Sequence, residues 1–189
     1  MTPAPVATLA DLRQEQRRIR RGVGLAALAT LALLGTAHLY LPRLVDLPDA
    51  SFEGRLSFWA VACMFIVLWV VVGVGMVSTG RRLSPDDIQG SAFAPPSPRI
   101  AVAVAFLQNT VEQALIAVFA QLALVVMAGA AALPLVAASA ALFGVGRAAF
   151  LAGYRRGAGA RSFGMALTVL PSLVALAISV VTLMGRITA

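Results

Sequence analysis

Residues 59–77 read WAVACMFIVLWVVVGVGMV, a run without a charged side chain. The apolar run extends from about Leu56 to Thr79 and ends at the pair Arg81 and Arg82. An α-helix of about 20 apolar residues crosses the ~30 Å hydrocarbon core of a bilayer. This segment therefore predicts a transmembrane helix.

Four more runs of this kind follow the same pattern. They span about Gly22–Leu41, Arg99–Gly129, Leu135–Tyr154 and Ser162–Met184. We expect a kink at Pro171 inside the last of them. Across all 189 residues, 60% are hydrophobic and 12% are charged, whereas a soluble domain carries about 25% charged residues. The sequence thus predicts an all-α membrane protein with about five transmembrane helices.

The charges indicate how the chain is oriented. All 15 basic residues are arginine, and the net charge is +7. Eleven arginines lie in the N-terminal segment and in the loops after the second and fourth runs, and three lie on the opposite side. Because positive residues concentrate on the cytoplasmic side, this predicts a cytoplasmic N-terminus. Because the arginines lie in the gaps between apolar runs, we expect lipids and no nucleic acid as partners. The arginine-only, alanine-rich composition suggests a bacterial protein, and hence the inner membrane.

The chain is expected to have two parts. Residues 1–54 contain a basic N-terminus, an extra transmembrane helix at about 22–41 and a loop, and residues 55–189 form a four-helix domain. One cysteine, Cys63, and one histidine, His38, provide no ligand set for a metal, so we expect none.

Polar side chains inside the spans mark a candidate site. Glu112 is the one acidic residue within a span, and a charge at that depth costs a few kcal/mol unless it has a partner. Asn109, Glu112 and Gln113 share one helix face. Arg147 and Tyr154 share a stripe of the fourth run. We therefore predict that Glu112 and Arg147 occupy a common polar pocket, either within a subunit or across a subunit interface.

The residues alone leave two interpretations open. Polar side chains hydrogen-bond membrane helices to one another without any chemistry. They also form ligand sites within membranes.

Two short motifs are typical of a known family, and the second of them is divided between two stretches. Residues 106–113 read FLQNTVEQ, residues 147–154 read RAAFLAGY, and residues 161–164 read RSFG. In order and spacing they resemble two signatures of the MAPEG family, the membrane-associated proteins in eicosanoid and glutathione metabolism. The resemblance implies a four-helix bundle, assembly as a homotrimer, and glutathione as co-substrate at a cytoplasm-facing site between subunits.

The resemblance also assigns roles to residues. The glutathione-binding positions correspond to Asn109, Glu112, Gln113, Arg147 and Tyr154. Arg161 corresponds to the catalytic arginine that stabilises the thiolate. The sequence departs from the family pattern at Ala105, where relatives have arginine, at Leu107, where they have histidine or glutamine, and at Phe150, where several have tyrosine.

The resemblance implies conjugation of a thiol to lipophilic substrates, or reduction of their hydroperoxides. The alternative is a structural or ligand-binding membrane protein without catalytic activity on the same scaffold. A transporter is disfavoured because the sequence has no repeated halves.

Overall fold

The computed structural model describes residues 9–188, and within this range the secondary structure is entirely helical. The helices are α1 (Leu9–Leu44), α2 (Phe52–Arg82), α3 (Ala101–Ala128), α4 (Leu133–Gly153) and α5 (Ala158–Thr188). Two 3₁₀ turns, Gly129–Ala132 and Tyr154–Arg156, follow α3 and α4. The start of the predicted basic N-terminus, residues 1–8, lies outside the described residues.

The helices are long and apolar enough to cross a membrane. Four continuous helical segments within the described residues meet this criterion, and the third of them, Ala101–Arg156, has 56 residues and contains both α3 and α4. Gly129 reverses the chain between the two with a positive φ of 66°, a conformation that glycine adopts without strain. Asn109 and Arg147, 38 residues apart, then meet side by side. The predicted all-α membrane fold is confirmed.

The core of the bundle lies between α2, α3, α4 and α5. Leu124 and Val125 of α3 pack with Val136 of α4, and Ile66 of α2 packs with Phe143 of α4. Many large apolar side chains, among which Met64 and Phe119 are at least 65% exposed, cover the outside. An apolar surface of this extent is unfavourable in water and fits a surrounding of lipid.

Helices α4 and α5 approach each other so closely that their backbones touch. A Cβ atom built on Gly164 would collide with the backbone nitrogen of Phe150, and one built on Gly146 would collide with the Thr168 hydroxyl. Small residues permit this approach in membrane bundles. The contact places Arg147 of α4 directly against Thr168 of α5.

Helix α1 is more than the appendage that its position at the start of the chain suggests. It is longer than the predicted span at about 22–41, because the arginine-rich segment continues the same helix. Its inward stripe, which includes Ala26, Thr30 and Leu34, is buried against α4 and α5. The first helix therefore belongs to the packed body of the protein.

The proline-rich loop between α2 and α3 is organised around Asp87. The Ser84 hydroxyl donates to Asp87 Oδ2 at 2.6 Å, and Ser97 donates its hydroxyl to Oδ2 and its backbone N–H to Oδ1. These donors, the Ser84 hydroxyl first, hold the pKa of the Asp87 carboxyl below its usual value. Asp87 therefore joins the start of the loop at Ser84 to its end at Ser97.

Candidate functional site

Arg147 lies at the centre of the site. Its side chain is completely buried. Nη1 donates to Asn109 Oδ1 at 2.7 Å, while Nε and Nη2 donate to Thr168 Oγ1 at 3.1 and 2.9 Å. Nη2 also lies 3.9 Å from the Met165 sulfur. A single guanidinium group thus ties α3, α4 and α5 together.

Aromatic rings complete the surroundings of this cation. The Arg147 guanidinium lies 4.6 Å from the centre of the Phe150 ring, within the range of a favourable cation–π contact. Tyr154 packs edge-on against the other end of Phe150, with ring centres 5.4 Å apart. Arg161 then stacks over the Tyr154 ring at 4.5 Å. Two arginines are therefore linked through two aromatic rings.

A cavity of about 330 Å³ opens beside this group. Its walls are formed by Ile19, Ala105, Asn109, Phe150, Tyr154, Ala158, Arg161, Ser162 and Met165. Four helices contribute to it, α1 among them. Ala105, the position at which the family pattern has arginine, lies in the wall, so the missing side chain leaves space in the cavity itself.

Three of the six predicted site residues line this cavity, and Arg147 contacts three of the lining residues, Asn109, Phe150 and Met165. The other two lie elsewhere. Gln113 is buried inside the bundle, and Glu112 is exposed on the outer face of α3, where it accepts a hydrogen bond from Gln108 at 3.3 Å. Arg147 has uncharged partners among the described residues. The predicted Glu112–Arg147 pair is therefore wrong within one chain, because the two side chains leave α3 and α4 in different directions, and it stays a prediction across a subunit interface.

Sequence reasoning missed Thr168 and Met165 of α5 and Ile19 of α1. Thr168 Oγ1 accepts two of the hydrogen bonds of Arg147, and its hydroxyl donates a hydrogen bond to Gly164 O at 2.7 Å. Met165 and Ile19 line the cavity. A threonine in an apolar run is a weak signal, because threonine commonly bonds to its own helix. An isoleucine carries no signal at all.

A second cavity, about 740 Å³ in volume, lies on another side of the bundle between α2, α3 and α4. Arg99 and Arg155 flank it, and small residues such as Gly75 and Ala103 form its walls. None of the predicted site residues lines it. Within residues 9–188, no cluster of His, Cys, Asp or Glu side chains is suited to hold a metal ion.

Comparison with known protein families agrees with this geometry. The model of the MAPEG family matches residues 56–181, two thirds of the chain. The chain belongs to the MAPEG family. No curated protein and no solved structure matches it. The matched region of this MAPEG protein begins inside α2 and ends inside α5, so it contains every wall of the site cavity except Ile19.

Proposed function

We propose that this MAPEG protein binds glutathione, or another anionic thiol, in the cavity beside Arg147 and Arg161. The thiol would serve conjugation or hydroperoxide reduction of lipophilic substrates. The observation that carries the proposal is the buried Arg147 guanidinium, whose partners within the described residues are all uncharged. A buried cation without a counterion is costly. An anionic ligand in the cavity, bound against the Asn109 and Phe150 side chains that contact Arg147, would bring a negative charge close to it.

The lining of the cavity fits a ligand of this chemistry. Arg161 presents a second guanidinium, and Asn109 presents an amide whose oxygen is already held by Arg147. Its amide nitrogen stays available as a donor to a carboxylate. Phe150 and Met165 add apolar surface to the same lining. The site therefore combines anion recognition with a surface for lipophilic groups.

Arg161 is the residue best suited to activate a thiol. Glutathione supplies the sulfur nucleophile when it is bound. A nearby cation lowers the pKa of a thiol and raises the fraction present as thiolate. Arg161 is held in place by its stacking on Tyr154, an interaction that orients its charge without using a carboxylate.

The exposure of Glu112 supports the proposal that the protein assembles into a homotrimer. Glu112 lies on a face of α3 whose exposed neighbours include Val111, Leu115 and Phe119. A carboxylate exposed to lipid costs a few kcal/mol, and a second subunit over this face would remove it from lipid. We propose that the site faces the cytoplasm of a bacterial inner membrane, since the N-terminal arginines lie at the same end of the bundle.

The test is calorimetry of glutathione binding to the detergent-purified protein. A lost charge-assisted hydrogen bond costs about 1.5–3 kcal/mol, so Arg161→Ala should weaken binding at least about tenfold. Glu112→Gln should also weaken binding if a neighbouring subunit brings that carboxylate to the ligand. The matched control is Arg155→Ala, which removes an exposed arginine from the same turn but outside this cavity. Equal affinities in all variants would contradict the proposed site.

Ala105→Arg provides a gain-of-function test. It places a guanidinium at the position where the family pattern has one, in a cavity with room for it. We expect glutathione affinity to rise about tenfold, the effect of one charge-assisted hydrogen bond. Unchanged affinity would mean that the ligand does not reach this wall.

A structural role without catalysis is the second candidate. It is favoured by the way in which Arg147 bonds to Asn109 and Thr168, since these contacts join three helices without any ligand. Under this alternative, millimolar glutathione would not bind, and substitution of Asn109 would reduce stability or disrupt the oligomer.

A further inference from the structure

Helix α1 lies outside the region that matches the MAPEG family, yet it contributes to the candidate site. Ile19, less than one turn before the apolar part of α1, shares the 330 Å³ cavity with Asn109 and Arg161. The four-helix unit by itself would leave this side of the cavity open.

A carboxylate holds this part of α1 in place. Glu15, one turn before Ile19, accepts a hydrogen bond from the backbone N–H of Gly159 at 2.5 Å. Gly159 belongs to the first turn of α5, where backbone N–H groups have no partner within the helix and the helix dipole favours a negative charge. Arg18 lies 3.8 Å from the same carboxylate. The start of α5 is therefore capped from α1.

On the C-terminal side of Ile19, a close contact between Gly22 and α5 fixes α1. A Cβ atom on Gly22 would collide with the Ser162 side chain and lie 3.2 Å from the backbone nitrogen of Phe163. A residue larger than glycine would push the helices apart at this level. Ile19 thus lies between two points of attachment to α5, and both ends of its turn are constrained.

We infer that α1 completes the ligand site within the same chain and that Ile19 is a residue that determines specificity. The inference rests on the proposed function. The Ile19 side chain narrows the cavity beside Arg161, so the site favours a compact anionic thiol over thioethers that carry a bulky group on sulfur. Glu15 is a positioning residue, since it acts through the start of α5 and does not line the cavity.

The first test compares glutathione with S-hexylglutathione by calorimetry on the full chain. Ile19→Ala should shift the ratio of the two affinities toward S-hexylglutathione by about tenfold, as expected for a few methylene groups in an apolar pocket. Ile19→Trp should weaken both ligands. Val23→Trp is the matched control, since Val23 lies one turn further along α1 and is 39% exposed.

A second test does not depend on glutathione binding. Cys63, the one cysteine, is replaced by serine, and Met165→Cys places a thiol in the cavity wall. The rate of its modification by a methanethiosulfonate reagent should rise in Ile19→Ala and in Glu15→Gln, and fall in Ile19→Trp. Val23→Trp should leave this rate unchanged.

The two tests separate failure of the inference from failure of the proposed function. Modification rates that follow the size of residue 19, in a protein that does not bind glutathione, would overturn the proposed ligand and retain α1 as a wall of the cavity. The inference would be overturned if Arg161→Ala abolished glutathione binding while neither the ligand selectivity nor the modification rate changed with the residue at position 19. Thermal unfolding of each variant identifies any variant that does not fold. If an Ile19 variant does not fold, the modification rate in Glu15→Gln tests the inference instead.

Discussion

The two ends of the bundle use arginine in different ways. At the end formed by the Gly129 turn, Arg55 of α2 donates to the backbone oxygen of Val125 at 3.1 Å, and Arg186 of α5 donates to that of Met127 at 2.8 Å. These oxygens belong to the last turn of α3, where carbonyl groups have no partner within the helix. The two arginines therefore cap the C-terminal end of α3 from the neighbouring helices α2 and α5.

At the other end, the side chains of the two arginines of the candidate site bond to no helix carbonyl within residues 9–188. Arg147 bonds to side chains and stacks on Phe150, and Arg161 stacks on Tyr154 at the edge of a cavity. A capping arginine has used its donors on the protein, and so has Arg147, whose donors bond to Asn109 and Thr168. Arg161 differs, because it stacks on Tyr154 and presents its guanidinium to the cavity, where it can bond to an anion. An arginine that bonds to a helix carbonyl is therefore assigned to structure, and an arginine that stacks on an aromatic ring at the edge of a cavity is assigned to a ligand.

The largest effect is expected at Arg147. Arg147→Ala leaves a cavity and removes the donor that Asn109 bonds to, so it should cost about 3 kcal/mol or more of unfolding free energy. Arg147→Met keeps most of the volume and removes the cost of a buried charge, so its loss should be smaller. Thermal unfolding in detergent measures both. Glutathione binding should weaken in either variant.

Arg147→Ala and Arg147→Met also test whether the two ends of the bundle use arginine in different ways. Equal destabilisation by Arg147→Ala and Arg147→Met would mean that the bundle requires the charge itself for folding. The two ends would then both use arginine for structure, and the distinction between them would fail.

A smaller effect is expected at the opposite end. Arg55→Ala and Arg186→Ala each remove one hydrogen bond to a carbonyl near the membrane surface, so each should cost about 1 kcal/mol of unfolding free energy. Glutathione affinity should not change, because neither residue lies near the cavity. Weaker binding in Arg186→Ala, with thermal stability unchanged, would contradict a structural role for this residue.

The smallest effect concerns the loop at Asp87. Because its pKa is lowered from 3.8 in the folded protein, the carboxylate stabilises the loop at any pH above about 4. This contribution is lost as pH falls through the lower, folded-state pKa. Hydrogen exchange of the Ser97 amide, corrected for its intrinsic pH dependence, should therefore accelerate only in acid.

Asp87→Asn supplies the control for that measurement. Its Ser97 amide should exchange faster than the wild-type amide at neutral pH, and the acid-dependent step should disappear. An acid-dependent step that persists in Asp87→Asn would assign the titration to another group.

Part of the site could be predicted because membrane burial makes polar residues conspicuous. Arg147 and Asn109 each interrupt an apolar run, and helical spacing alone places them at comparable depth. Which way a side chain points around its helix axis depends on neighbouring helices. For this reason Glu112, close to Asn109 in sequence, lies on the outer face and not in the cavity.

The sequence by itself determined the class of fold, the membrane environment and the family, because these follow from apolar run lengths, charge placement and two motifs. The tertiary structure decided that Thr168 accepts the bonds of Arg147, that Ala105 leaves room in the cavity, and that α1 closes one side of it. Such contacts join residues that are far apart in the chain. Their geometry arises from close packing at glycines, as between Gly164 and Phe150, and packing of this kind has no local pattern in the sequence.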